Sequence, residues 1–356
     1  MPAYEELESE VIESGICSCC GACIASCPLN HLQWINGTPK RPEKKDACKD
    51  CETCYHACYK TGFNESKIEE MIFGRKRREE EVIGIYRNIF EAKANDKKIL
   101  SKSQDGGIVT AILSYALNAG IIDGAILAEN YKWKPEPTVA TTFDGFVEAA
   151  GTKYGTTPNL MKIRTAVIDH ALDRVCVVGT PCHIRSIKYL QYINFELYPA
   201  ITLVVGLFCR ENFEYEKMRK RIEQSGVDIT EITKISVSKN FFNAYTKENR
   251  LSFPITEIGE WVPKHCLICE DYTSELADIS VGCEGSGDGW STVIIRTETG
   301  EKIFSGLERS GVITTKTLGD LDHIKEVSVR KRRKAEHNRE TFKLKEDGYG
   351  VKKAHK

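Results

Sequence analysis

Long apolar runs are missing from this chain. The longest, Ala200 to Phe208, falls well short of the ~20 residues that a bilayer-spanning helix needs. The opening, Met-Pro-Ala-Tyr-Glu-Glu-Leu-Glu, has neither the basic nor the apolar region of a secretory signal, so the expected location is the cytoplasm. An excess of charge is missing too. A net charge of −1 over 356 residues gives no reason to expect a nucleic-acid partner. No Gly-x-Gly-x-x-Gly opens a strand–helix–strand unit, which argues against a nicotinamide dinucleotide site. The one near match, Gly282-Cys-Glu-Gly-Ser-Gly-Asp-Gly289, runs into a strand and offers no helix N-terminus to a pyrophosphate. It reads as a hairpin or the rim of a site. With 28% charged and 41% hydrophobic residues the composition is that of an ordinary globular protein, and the length suggests two or more domains.

Cysteine is what the chain has in plenty, fifteen in all. An odd number, with no export signal in view, points to metal ligation over a disulfide framework. Two runs near the start share one spacing, Cys17-x2-Cys20-x2-Cys23-x3-Cys27-Pro28 and Cys48-x2-Cys51-x2-Cys54-x3-Cys58, the ligand pattern of paired [4Fe–4S] clusters. Three thiolates in a tight loop can each reach a different iron of one cubane. The fourth, on the helix that follows, points at the other cluster. The expected sets are therefore crossed: Cys17, Cys20, Cys23 and Cys58 for one cluster, Cys48, Cys51, Cys54 and Cys27 for the second. Zinc also favours Cys-x2-Cys pairs, but a structural zinc site has no use for a third and fourth cysteine at this spacing, given twice. Cys19 is an extra thiol in the first loop, and Tyr59 follows Cys58 where proline is usual. Oxygen-sensitive clusters would suit an anaerobic host.

Residues 1–64 then read as a two-cluster ferredoxin-type domain, with Pro39-Lys-Arg-Pro42 as the turn between its halves. Residues 65–84 read as a charged linker, helical from Lys67 to Glu81, whose run Gly74-Arg-Lys-Arg-Arg-Glu-Glu-Glu81 is expected to be solvated. A larger domain, 85–345, alternates strands and helices. A helix from Gly107 closes at Gly120, strands follow at Asp123–Ala128 and Thr138–Phe143, a strand at Arg174–Thr180 leads into a helix from Pro181, and a strand from Ile201 precedes a helix Glu214–Gln224. Beyond Ile232 strands take over, clearest at Ala277–Gly282 and Trp290–Thr297, before a basic helix from Val329 and a tail, 346–356. The fold class expected is α/β, α+β overall: a small two-cluster ferredoxin domain followed by a larger mixed α/β domain.

Six cysteines lie outside the first module: Cys176, Cys182, Cys209, Cys266, Cys269 and Cys283. Cys176 and Cys283 fall within or just after apolar strands, where a free cysteine is usually a small buried hydrophobe. Cys182, Cys209, Cys266 and Cys269 sit at strand ends and on a loop, where distant segments can converge. A third [4Fe–4S] cluster is the reading taken, with zinc or scattered structural thiols as alternatives. Two glycine-containing loops could grip a flavin dinucleotide together. Ser103-Gln-Asp-Gly-Gly-Ile-Val-Thr110 places two glycines before a helix N-terminus, and Gly151-Thr-Lys-Tyr-Gly-Thr-Thr-Pro-Asn159 offers a cation, hydroxyls and an aromatic ring. Either loop alone is equally well read as a tight turn with a helix cap.

Taken in order, Gly106-Gly-Ile-Val-Thr-Ala, Gly151-Thr-Lys-Tyr-Gly, Gly179-Thr-Pro-Cys182, Gly206-Leu-Phe-Cys209, Cys266-Leu-Ile-Cys269-Glu-Asp and Ala277-Asp-Ile-Ser-Val-Gly resemble the β-subunit family of the coenzyme F420-reducing hydrogenases. That family includes the electron-input subunit of the reduced-F420 dehydrogenase, the formate dehydrogenase β-subunit and the N-terminal half of F420-dependent sulfite reductase. The resemblance covers about residues 85 to 345, and the ferredoxin module ahead of it makes the layout most similar to the dehydrogenase input subunit. It implies FAD, a [4Fe–4S] cluster beside it formed by Cys182, Cys209, Cys266 and Cys269, and F420 docked on the flavin. The flavin contacts implied are Ser103, Gly106, Gly107, Val109, Thr110, Thr152, Lys153, Tyr154, Gly155, Thr156, Asn159, Gly179, Thr180 and Pro181. The expected activity is hydride exchange between F420 and FAD with single electrons passed along the clusters, and no side chain is required as general acid or base. Lys153, Arg185 and the basic residues of 329–334 are candidates to attract phosphates or the anionic tail of F420. No nickel–iron ligand set, molybdopterin domain or sirohaem cysteine arrangement is visible, so a soluble ferredoxin or partner redox subunit is implied. Two alternatives stay open: a β-subunit of a hydrogenase, formate dehydrogenase or sulfite-reductase-type complex, and a flavin-free polyferredoxin.

Overall fold

The computed structural model describes residues 3–42, 48, 50–238 and 240–344; the 346–356 tail lies outside them. Its strands in chain order are β1 (Gln33–Ile35), β2 (Thr38–Lys40), β3 (Asn88–Ala94), β4 (Gly124–Tyr131), β5 (Lys134–Ala140), β6 (Val175–Gly179), β7 (Ile201–Leu207), β8 (Lys234–Ser238), β9 (Phe241–Tyr245), β10 (Arg250–Pro254), β11 (Ile279–Gly282), β12 (Ser291–Ile295) and β13 (Ile313–Lys316). β1 and β2 form a hairpin in the N-terminal module, and β8, β9 and β10 an antiparallel sheet of their own. The other eight make one mixed sheet in the order β13-β3-β12-β11-β7-β6-β4-β5. Its middle strands β4, β6, β7 and β11 are parallel neighbours, and the flanks are antiparallel. This is the mixed α/β architecture that the alternating pattern led one to expect.

Burial explains the strand sequences. β6, Val-Cys-Val-Val-Gly, is covered on both faces along its whole length, so an unbroken β-branched run suits it and an alternating one would not. One face of the sheet packs under the helices Ile108–Asn118 and Glu298–Arg309 through Ile112, Leu113, Phe304 and Leu307. The opposite face packs under the helix Pro181–Tyr192 through Ile184, Ile187 and Leu190, and this second core also holds Ala22, Ala25, Ala57, Tyr59 and Phe63 of the N-terminal module. The cysteine-rich module is thus built into the core of the larger unit. At the seam Leu160 N–H donates to Cys20 O at 2.9 Å, and a Cβ on Gly21 would stand 2.7 Å from Pro158 O.

Two expectations need correction. The linker helix runs only from Glu65 to Phe73, because Gly74 adopts a left-handed conformation (φ 72°) and ends it. The charged run behind it is not merely solvated. Arg77 turns inward to pair with Glu65, Glu69 and the buried Glu275, which also binds Arg332 of the C-terminal helix Leu321–Thr341. Beyond Ile232 strands do not replace helices, since Glu298–Arg309 and Leu321–Thr341 are both long helices, each with an apolar stripe diluted by the charged residues around it.

Candidate functional site

Because β6, β7 and β11 run parallel, their carboxyl ends share one edge of the sheet, the edge at which open α/β sheets bind ligands. Gly179-Thr180-Pro181-Cys182 follows β6, Phe208-Cys209 follows β7 and Cys283 follows β11. β3 points the same way across β12, and the Gly106 turn returns to it, with Ala94 N–H donating to Gly106 O at 2.7 Å. Gly106 fits only because it lacks a side chain: a Cβ there would stand 2.6 Å from Ala92 O and 2.8 Å from Ser291 N. Its own N–H donates to Ser291 Oγ at 3.1 Å. Gly107 then takes a left-handed conformation (φ 71°) and opens the helix Ile108–Asn118.

The 151–159 loop lies between this turn and the end of β6. A Cβ on Gly151 would stand 3.3 Å from Lys102 O. At the other end Asn159 Nδ2 donates to Val178 O at 3.2 Å, and the buried His183 ties the loop to the helix N-terminus. His183 Nδ1 accepts from Thr180 N–H at 3.2 Å, so Nε2 carries the proton and donates to Thr157 O at 2.9 Å. Among the described residues Thr157 Oγ1 and Asn159 Oδ1, both buried, have no hydrogen-bond partner. Cys283, exposed beyond the end of β11, lies within electrostatic reach of Asp105 and Tyr154.

Not every expected flavin contact points toward this edge. Ser103 Oγ donates to Ile99 O within its own helix, Lys153 Nζ donates to Ala149 O and Ala150 O, and the Tyr154 ring packs against Phe213 and Phe242. Thr110 is buried in its helix, Val109 and Thr156 are half-buried, and Thr152 is exposed. Gly155 pairs with Phe213 against Pro135, and Pro181 is buried in the first turn of its helix. Arg185 is no free phosphate hook, being buried, paired with Glu65 and lying over Phe63. Cys176 is buried in β6 as expected, whereas Cys283 is exposed, because β11 ends at Gly282 and the chain turns out toward the hairpin with β12.

The N-terminal cysteines surround two spaces. One is lined by Cys27, Cys48, Cys51 and Cys54; the other by Cys17, Cys19, Cys20, Cys23 and Cys58. Each run thus contributes its fourth cysteine to the other's cavity. Among the described residues no three Cys, His, Asp or Glu side chains converge tightly enough to hold a metal ion. His31 N–H donates to Cys27 Sγ at 3.3 Å and His31 Nδ1 lies 3.2 Å from Cys48 Sγ, while Arg164 Nη2 donates to Cys27 O at 3.1 Å.

The second group also comes together. Cys182, Cys209, Cys266 and Cys269 lie within electrostatic reach of one another, and Cys182 is also within reach of Cys20 of the first module, more weakly. Burial pushes the Cys182 thiol up to about 12 and Cys209 to about 11, so these thiols would be neutral at pH 7 unless a cation displaced their protons. Cys23 in turn lies within electrostatic reach of Cys54, so each group has a member near the next. Of the basic residues of 329–334 expected to attract phosphates or the F420 tail, Lys331 Nζ instead donates to Cys209 O at 2.5 Å and Asp271 O at 2.7 Å and Arg332 pairs with Glu275, while spacing in the sequence carried no sign of Ser186, whose Oγ is 3.6 Å from Cys20 Sγ.

Comparison with known proteins gives this arrangement its relatives. Residues 89–164 match the N-terminal part of the family described as coenzyme F420 hydrogenase/dehydrogenase, beta subunit, and residues 172–320 match its C-terminal part. The beta subunit of coenzyme F420 hydrogenase from Methanothermobacter thermautotrophicus is 39% identical over 72% of this chain and 95% of its own length. The F subunit of F(420)H(2) dehydrogenase from Methanosarcina mazei is 34% identical over 90% of this chain and 94% of its own length. The F420-dependent sulfite reductase of Methanocaldococcus jannaschii is 32% identical over 95% of this chain, which spans 53% of that protein. A chain of the F420-reducing [NiFe] hydrogenase complex from Methanosarcina barkeri superimposes with a TM-score of 0.72 at 34% identity, covering 78% of this chain and 99% of that one. Among the described residues no helix is long and apolar enough to cross a membrane. The chain belongs to the coenzyme F420 hydrogenase/dehydrogenase beta-subunit family, a family of F420-linked redox subunits.

Proposed function

We propose that this protein is a reduced-F420 oxidoreductase of the electron-input type, handing electrons to a soluble ferredoxin or a partner subunit. Bound FAD would exchange a hydride with F420 and release electrons singly to three [4Fe–4S] clusters. The chain's part is to hold and to insulate. Cys182, Cys209, Cys266 and Cys269 would ligate the cluster at the sheet edge, Cys17, Cys20, Cys23 and Cys58 the next, and Cys27, Cys48, Cys51 and Cys54 the outermost. The Gly106-Gly107 turn brings the backbone to the edge without a side chain in the way, and Thr157 Oγ1 and Asn159 Oδ1, unpartnered among the described residues, offer hydrogen bonds to a flavin there. Gly179, Thr180 and Pro181 join the flavin loop to the first cluster set through His183.

The observation that carries this reading is the succession of three cysteine sets, with Cys182 within electrostatic reach of Cys20 and Cys23 within reach of Cys54. The dehydrogenase type is favoured over the hydrogenase β-subunit because the match to the dehydrogenase chain takes in 90% of this protein and that to the hydrogenase chain 72%. The test is Cys182→Ala. With FAD retained, it should still be bleached by reduced F420 while reduction of ferredoxin or viologen collapses. Wild-type turnover in this variant would reject the route, and purified wild-type protein that holds no flavin would favour the polyferredoxin alternative.

A further inference from the structure

Lys331 lies on the helix Leu321–Thr341, beyond the last residue matched by the family, 320. Its ammonium is half-buried and donates to two backbone carbonyls, Cys209 O at 2.5 Å and Asp271 O at 2.7 Å. The first belongs to a proposed cluster ligand and the second lies two residues past another, Cys269. One side chain therefore fastens together the two loops that carry three of the four thiols. A lysine ammonium carries its positive charge at neutral pH, and both carbonyls accept from it here. Other cations stand nearby: Lys60 lies within electrostatic reach of Cys269 and over the Tyr59 ring, Arg185 pairs with Glu65, and Arg332 with Glu275.

We infer that Lys331 is a positioning residue for the Cys182/Cys209/Cys266/Cys269 cluster, and that its fixed positive charge raises the reduction potential of that cluster relative to one in the same pocket without it. This rests on the cluster proposed above. One-electron reduction adds a negative charge to the cluster, and a cation held nearby in a water-poor pocket stabilises the reduced form more than the oxidised one. A C-terminal helix outside the matched segment would then set how readily the first cluster accepts an electron.

The test is an anaerobic redox titration followed by electron paramagnetic resonance, with iron counted in every sample. The first cluster is identified as the signal lost in Cys182→Ser. Lys331→Gln keeps N–H donors for both carbonyls and removes the charge. It should retain about twelve irons, as three clusters require, and lower the reduced-to-oxidised ratio of the first cluster at least tenfold at a given applied potential, about 59 mV for one electron. The other two clusters should not move. Lys331→Arg, which keeps the charge, should stay within threefold of wild type. Full iron with an unchanged potential in Lys331→Gln would overturn the inference while leaving the third cluster standing. If Lys331→Gln fails to load that cluster, Lys331→Arg decides: a native potential upholds the role of charge, and a tenfold fall rejects it. About eight irons in the wild type would remove the third cluster and this inference together.

Discussion

Adding one methyl group at Gly106 should damage the site more than its size suggests. The Cβ of Gly106→Ala would stand 2.6 Å from Ala92 O, 2.8 Å from Ser291 N and 2.9 Å from Ser291 Oγ. Two of these are backbone atoms of adjacent strands, β3 and β12, so no rotamer change relieves the contact. Overpacking of this kind costs about 1–3 kcal/mol. Pushing the turn outward would also weaken the bond from Gly106 N–H to Ser291 Oγ, adding about 1 kcal/mol. The expected loss is about 2–4 kcal/mol, measured as a lowered urea midpoint under anaerobic conditions, together with reduced flavin content. Gly120→Ala is the control, since Gly120 has a positive φ of 64° and open space where the Cβ would go. It should cost only the left-handed backbone penalty, about 1–2 kcal/mol, and leave flavin content alone. If the two variants are equally stable and equally rich in flavin, close packing at the Gly106 turn is not what shapes this edge.

Cys27→Ser and Cys58→Ser should each harm the cluster whose other ligands belong to the opposite run, as read by iron content and resonance signals; losses confined to the residue's own run would overturn the crossed assignment. Reduced F420 should bleach the bound flavin far faster than NADH or NADPH does, and comparable rates would contradict the absence of a dinucleotide fingerprint. Arg296→Met should destabilise by about 3–5 kcal/mol, because this fully buried guanidinium donates to Ser280 Oγ, Ile83 O, Ile85 O and Thr273 O and lies near Glu275; a wild-type denaturation midpoint would refute that. Burial alone would raise the Glu275 carboxyl, but the Arg77 and Arg332 guanidiniums outweigh it and hold the group well below the usual carboxylate range. Its stabilisation is therefore complete above an unfolded-state value of about 4.3 and is lost as pH falls toward the folded-state value. Glu275→Gln should flatten the acid limb of the stability profile, and an unchanged limb would place the acid sensitivity elsewhere.

What the sequence made legible follows one rule: a feature shows when its period or spacing is local. The β-branched run of β6, the Pro181 helix start and the Gly107 and Gly120 helix boundaries are all readable within a dozen residues, and the structure has them. The motif spacing also placed Cys27 and Cys58 in the opposite cavities, because their separation from each run is fixed by one short helix. Charge is misleading where its partners are remote. Arg77 looks like a surface residue among Lys76, Arg78 and Glu79 until Glu275 arrives from nearly two hundred positions away. Lys331 is likewise one of several basic residues on a helix, and only the packing of that helix against Cys209 sets it apart from Arg330 and Arg333. Cys283 is exposed where burial was expected, because an apolar strand before it says nothing about which way the chain leaves the sheet.

The shared core beneath the first cysteine run bears on speed. Ala22, Ala25 and Ala57 pack with Leu160, Ile163 and Ile184, and Gly62 approaches the Tyr189 hydroxyl so closely that a Cβ there would stand 2.7 Å from it. A module joined by a slack tether would sample many separations from its neighbour, which is the default for domains with small polar contacts. Here no such wandering is available without opening an apolar core. Electron tunnelling falls off exponentially with distance, so under the proposed route a rigid seam would make side-chain packing a timing element: the gap between Cys182 and Cys20 is set when the protein folds and would not have to be found anew at each turnover.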